Sequence, residues 1–209
     1  MDTRSPLVWL LLLLVLPRIA QAQGLGQKTD PKFELGGLFT YGKLREIGST
    51  DSGTGTDVGG LGVRFGYRIF RHLDLDTEFN FLPGNSATSG NHVQGFAGAK
   101  VGKRWTKGGV FLKVRPGFIR FSRDPFGVGK PGAVFLSHDR AASTEPALDL
   151  GGVVEYYTSR GFILRFDLGY DLVHYARRDV RSSPALPSFE AGGFTTHNWQ
   201  GSVGVNFRF

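Results

Sequence analysis

The two runs Asp57–Phe70 and Leu73–Leu82 alternate with a period of two residues, and their charges are confined to one face from Gly60 onward. In the first, Leu61, Val63, Phe65, Tyr67 and Ile69 alternate with Gly60, Gly62, Arg64, Gly66 and Arg68. In the second, Leu73, Leu75, Thr77, Phe79 and Phe81 alternate with Asp74, Asp76, Glu78 and Asn80. Successive strand residues point to opposite faces, so each run has one greasy and one charged side. Cross-strand partners share a face. A three-residue turn Phe70–His72 therefore puts Arg68 opposite Asp74 and Arg64 opposite Glu78. The short turn and the charge pattern specify the same hairpin.

The pattern recurs along the chain. Lys32–Gly42 sets Phe33, Leu35, Phe39 and Tyr41 against Glu34, Leu38 and Thr40, and His92–Trp105 places Phe96, Lys100 and Arg104 on one parity. Val110–Ser122 opposes Lys113 and Arg115 to Val110, Leu112 and Val114; Ala147–Tyr157 opposes Asp149 and Glu155 to Leu150, Val154 and Tyr156. Phe162–His174 opposes Arg165, Asp167 and Asp171 to Phe162, Leu164, Phe166 and Leu168. Trp199–Phe209 closes the set, with Trp199, Val203, Val205, Phe207 and Phe209 on one side. Eight strands result. The connections between them alternate long and short, so an antiparallel meander collects the long loops at one end and the tight turns at the other.

The polar faces decide what the sheet encloses. They carry Glu34, Arg64, Arg68, Asp74, Asp76, Glu78, Lys100, Arg104, Lys113, Arg115, Asp149, Glu155, Arg165, Asp167 and Asp171. A soluble eight-stranded barrel keeps its apolar faces inside, and this many charges could not fill such a core. The predicted fold is all-β, an eight-stranded antiparallel up-and-down transmembrane barrel worn greasy side out, with short periplasmic turns and long extracellular loops. Ten residues at about 3.3 Å each, tilted near 40°, rise about 25 Å, the height of the apolar band in such barrels. Eight acids and seven bases nearly cancel, and an eight-stranded barrel is just wide enough for its side chains to fill it. A self-paired interior plug is expected, with a narrow channel as the alternative. Inward glycines such as Gly60, Gly62 and Gly66 are expected to leave space for long Arg and Lys side chains.

Ahead of the first strand, Arg4, the apolar run Leu7–Leu16 and the ending Ala20-Gln21-Ala22 have the form of an export leader cleaved before Gln23. The run is too short to span a bilayer as a helix. The expected organisation is a signal peptide at 1–22, a periplasmic lead-in at 23–31 and the barrel at 32–209. The chain lacks cysteine, so no disulfide contributes in an oxidising compartment. Its formal charge of +7 permits attraction to anionic headgroups without proving it.

With the leader, the eight alternating strands and the ending Gly204-Val205-Asn206-Phe207-Arg208-Phe209, the chain resembles the small bacterial outer-membrane barrels of the OmpA/OmpX type. The resemblance covers the whole mature chain. It implies an outer-membrane location and makes Gly204, Phe207 and Phe209 the signal read by the barrel-assembly machinery. Val203 departs from the pattern, standing where a polar residue is usual. Fold alone does not assign an activity.

Catalytic motifs are weak. His92, His138, His174 and His197 map to the loop end without metal-ligand spacing, and polar residues are ordinary at a rim. Ser137-His138-Asp139 are consecutive and would not converge as a triad. Gly127-Val128-Gly129-Lys130 lacks the earlier glycine of a phosphate loop and is followed by Pro131. No enzyme, cofactor or metal is expected, and a lipid A-modifying enzyme ranks behind the plug and the channel. The expected partners are outer-membrane lipid and lipopolysaccharide, the latter through Arg177, Arg178 and Arg181. Nucleic acid is not among them, and a monomer is expected.

Overall fold

A computed structural model of the chain describes residues 31–44, 56–84, 90–122, 142–159, 161–176, 178–180, 189–191 and 193–209. The expected leader and most of the lead-in lie outside the described residues. Eight long strands close into one antiparallel barrel: β1 (Phe33–Leu44), β2 (Thr56–Phe70), β3 (Leu73–Leu82), β4 (His92–Trp105), β5 (Gly108–Phe121), β6 (Ser143–Tyr157), β7 (Phe162–Tyr175) and β10 (Phe194–Arg208). Each strand pairs with its sequence neighbour, and β1 pairs with β10 to seal the cylinder, from Glu34 opposite Arg208 to Lys43 opposite Trp199. The short connections are Arg71–His72, Thr106–Lys107 and 158–161, and all three lie at one end.

Within the β2–β3 hairpin, Arg64 stands opposite Glu78 and Arg68 opposite Asp74. The turn itself is shorter than the pattern suggests. Phe70 remains in the strand opposite Leu73, and an irregularity between Arg68 and Phe70 absorbs the extra residue. Two further strands, β8 (Arg178–Val180) and β9 (Phe189–Ala191), form a separate antiparallel pair where a continuous loop is expected. Three-residue strands are too short to show a period in the sequence. Strands β6 and β10 also begin earlier than predicted, at Ser143 and Phe194. Pro146 marks an apparent break in the first case, yet it sits within β6 opposite Phe118. Pro116 interrupts a ladder instead: β4–β5 pairing resumes at Ala99 opposite Val114 after Phe96 opposite Gly117. Proline has no N–H to donate there.

The outer surface is the apolar one. Leu61, Leu112 and Leu168 are 69%, 72% and 61% exposed, values that mark a face in contact with lipid rather than water. Aromatic residues stand at both ends of this face. Tyr41, Tyr170 and Trp199 lie toward the loops, with the Tyr170 and Trp199 rings 4.8 Å apart, and Trp105 and Tyr156 lie toward the turns. Amphipathic rings suit the two membrane–water boundaries. The inner face carries charge, and thirteen of the fifteen predicted interior charges are buried. Arg68 and Arg104, nearest the turns, are half-buried.

Candidate functional site

The lumen is an ion-pair network arranged in tiers by strand position. Nearest the turns, Lys100 of β4 sits among three carboxylates, bonded to Glu155 and 3.4 Å from both Glu34 and Asp74. Arg208 donates to Glu34 at 3.0 and 2.6 Å, and Arg104 donates to Asp74. In the next tier, Arg165 spans two acids. It donates to both oxygens of Asp76 at 2.7 and 2.8 Å and to both of Asp167 at 3.0 and 2.8 Å. Arg115 reaches Asp76, Glu78 and Asp149 at 2.9, 2.8 and 2.7 Å. Arg64 bonds its cross-strand partner Glu78 through Nε at 3.0 Å and approaches Asp167 to 3.0 Å. Lys113 lies 2.9 Å from Asp149. Buried charges are tolerated only when partnered and hydrogen-bonded, and most of these have two or more partners.

Glycine positions are filled differently from the expectation. At Gly62 a Cβ would fall 2.0 Å from Asn80 Oδ1 and 2.7 Å from the Phe79 carbonyl oxygen, so this glycine lets β3 approach rather than housing a long cation. Gly151 does admit one, because its Cβ would strike Lys113 Cε at 2.9 Å.

Toward the loops the charges give way. Asn80 donates to Glu78 at 2.8 Å and to Gln94 at 3.4 Å, forming a neutral polar tier. Above it Leu44, Val58, Leu82, Phe96, Ile119, Phe121, Ala147, Val173 and Tyr175 make a buried apolar layer, with Phe194 against it. Sequence reasoning placed Phe96 on the inward parity and missed the rest of this layer. Its members share parity with interior polar residues at the strand ends, so a parity extended to those ends would have found them. Arg208 was missed as a lumen charge although it lies on the polar parity of the last strand, directly opposite Glu34. Glu145 is also buried, so the interior gains one charge of each sign. Asp171 stands opposite Asp149 across β6–β7 and is fully buried.

The remaining predicted sites are dispersed. Gly204 faces inward at the β1–β10 seam, where a Cβ would lie 2.7 Å from the Gly37 carbonyl oxygen. Phe207 packs edge-on against Phe162 at 5.3 Å, and Phe209 follows the end of β10. Arg177 and Arg181 lie outside the described residues, and only the backbone of Arg178, in β8, is described. His197 Nδ1 lies 2.8 Å from the Tyr170 hydroxyl and His174 Nδ1 3.2 Å from Thr195 Oγ1. His92 points inward with its ring 5.1 Å from that of Phe121. His138 and the 127–130 segment lie outside the described residues. No group of three or more potential metal ligands converges among the described residues.

Comparison with solved structures places this geometry. Neisserial surface protein A superposes with a TM-score of 0.57 at 15% identity, covering 85% of this chain and 97% of that one. The fold is that of the small outer-membrane β-barrels. OprH from Pseudomonas aeruginosa matches this barrel with a TM-score of 0.51 at 13% identity, over 85% of this chain and 99% of that one. Ail, the attachment invasion locus protein of Yersinia pestis, matches with a TM-score of 0.50 at 11% identity, over 87% and 100%. Its structure was determined in complex with the heparin analogue sucrose octasulfate. No protein-family model matches the barrel's sequence, and no curated protein matches it by sequence. At these identities the likeness establishes architecture of the OmpA/OmpX type and no activity.

Proposed function

We propose that this chain is a non-enzymatic integral barrel of a bacterial outer membrane, closed along its axis, that serves envelope structure or surface interaction through its loops. The carrying observation is the filled lumen. Arg115, Arg165 and Lys100 are all fully buried inside the cylinder, and the apolar layer lies between them and the loop end. Water and ions crossing the barrel would have to displace both. The apolar, aromatic-flanked outer face supports insertion in lipid, and the likeness to outer-membrane barrels supports that membrane as the site.

Contacts on the lipopolysaccharide side then fall to the loop end, where Arg177, Arg178 and Arg181 would meet lipopolysaccharide phosphates. The complex of Ail with a polyanion supports that class of contact on this architecture. The barrel-assembly machinery would read Gly204, Phe207 and Phe209. Planar-bilayer recording tests closure. The expected record is flat. Discrete conductance steps that change when Arg64 or Glu78 is neutralised would overturn the plug in favour of a narrow channel. Mass spectrometry of lipid A from cells with and without the protein is expected to give identical profiles; a modified species would reassign the barrel as an enzyme.

A further inference from the structure

Among the described lumen residues, Arg68 is a cation left over by the pairing. Its place across from Asp74 repeats the relation of Arg64 to Glu78, which closes into an ion pair. Asp74, however, is taken by Arg104 and by Lys100 at 3.4 Å. The other two carboxylates at this end are also engaged. Glu34 is held by Arg208 at 2.6 Å and Lys100 at 3.4 Å, and Glu155 by Lys100 and by Arg208 at 3.6 Å. Four cations thus share three carboxylates.

No carboxylate among the described residues forms an ion pair with Arg68, and its buried Nε has no hydrogen-bond partner. Arg104 binds the carboxylate that stands opposite Arg68, and Arg208 binds Glu34 on β1, the other strand paired with β2. Arg104 Nε is likewise buried without a partner. These two side chains are 13% and 11% exposed, and Arg68 is half-buried, so the cluster opens at the turn-end mouth rather than being sealed inside.

We propose that Arg68, Arg104 and Arg208 form a binding site for a phosphate oxyanion at the turn-end mouth of the barrel, with Arg68 as its principal ligand. A guanidinium presents paired donors that match two oxygens of one phosphate, and a tetrahedral anion has further oxygens for the neighbouring arginines. A carboxylate has only two. The phosphate can belong to a lipid headgroup in the leaflet at that end or to a free phosphate ester.

The test uses the refolded full-length barrel in a non-ionic detergent, with two probes: inorganic phosphate titrated by calorimetry and short-chain phosphatidylglycerol followed by native mass spectrometry. Millimolar or tighter binding of at least one probe is expected. Arg68→Gln is expected to weaken it about 10- to 100-fold, the loss of one charge-assisted contact, and Lys43→Gln at the opposite end to leave it unchanged. Arg68 has no ion-pair partner to strand, so Arg68→Gln is expected to fold, as shown by heat-modifiable migration on a gel. Binding of phosphate alone assigns a free ester, and binding of lipid alone assigns a headgroup. Absence of binding to both at about 20 mM, far above the millimolar range, or equal binding by wild type and Arg68→Gln, overturns the site.

Discussion

Asp76→Asn tests whether the lumen network holds the barrel together. Asp76 is fully buried on β3 and accepts three charge-assisted bonds: Arg165 at 2.7 and 2.8 Å and Arg115 at 2.9 Å. Asparagine keeps the shape but removes the charge and turns an N–H₂ donor toward guanidinium donors. Arg165 keeps only Asp167, while Arg115 keeps Glu78 and Asp149. Breaking one side of a buried pair costs roughly 3–5 kcal/mol, because the surviving charge remains desolvated. Residual partners for both arginines place this case near the lower end, at about 3 kcal/mol. With a urea slope of about 2 kcal/mol per molar, the unfolding midpoint should fall by about 1.5 M. The assay is urea unfolding of the vesicle-inserted barrel, followed by tryptophan fluorescence. A second variant, Asp76→Leu combined with Arg165→Met, replaces the pair by apolar groups and should cost less than the additive sum of its two single changes. A midpoint shift for Asp76→Asn below about 0.3 M would refute the reasoning, since it would mean that the lumen charges are hydrated and interchangeable.

Leu112→Arg puts a charge on the most exposed large apolar position of the lipid face, and should cost about 2–4 kcal/mol if that position lies near the bilayer midplane; folding yield into vesicles measures it. Ile119→Ala opens a cavity in the apolar layer around a fully buried side chain, and a loss of about 2–5 kcal/mol should appear in the same unfolding assay. Gly204→Val drives a branched side chain against the Gly37 carbonyl oxygen and Leu38 Cβ, 2.7 and 2.9 Å from a Cβ at that position. It should slow closure of the β1–β10 seam, seen as persistence of the unfolded band in refolding time courses, whereas Val205→Ala, on the lipid face, should close at the wild-type rate.

Strand pairing in the β2–β3 hairpin was legible because its charges allow only one register, and a slip of one residue would turn Arg64, Asp76 and Glu78 into lipid. The same penalty applies to the thirteen buried charges that parity assigns to the inner face. Composition, not parity, misled where the inner face changed from charged to apolar. Leu82 and Val173 continue the inward face of β3 and β7, yet by composition they look like outward residues. Proline misled in the opposite sense. Pro146 looks like the end of a loop, but within the barrel its neighbours supply the remaining pairing.

Alternation along single strands determined the barrel, its inside-out polarity and the closure of first strand on last, since each residue's face follows from backbone pleating alone. Beyond hairpin pairs such as Arg64 with Glu78, which cation meets which carboxylate was decided when eight strands curled into a cylinder. Side chains from strands far apart in sequence then met across the axis, so that Arg165 found Asp76 and Lys100 found Glu155. Asp74 went to Lys100, its cross-strand partner on β4, and to Arg104 of the same strand rather than to Arg68 on β2, because a strand inside a sheet has a neighbour on each side and one hairpin shows only one of them.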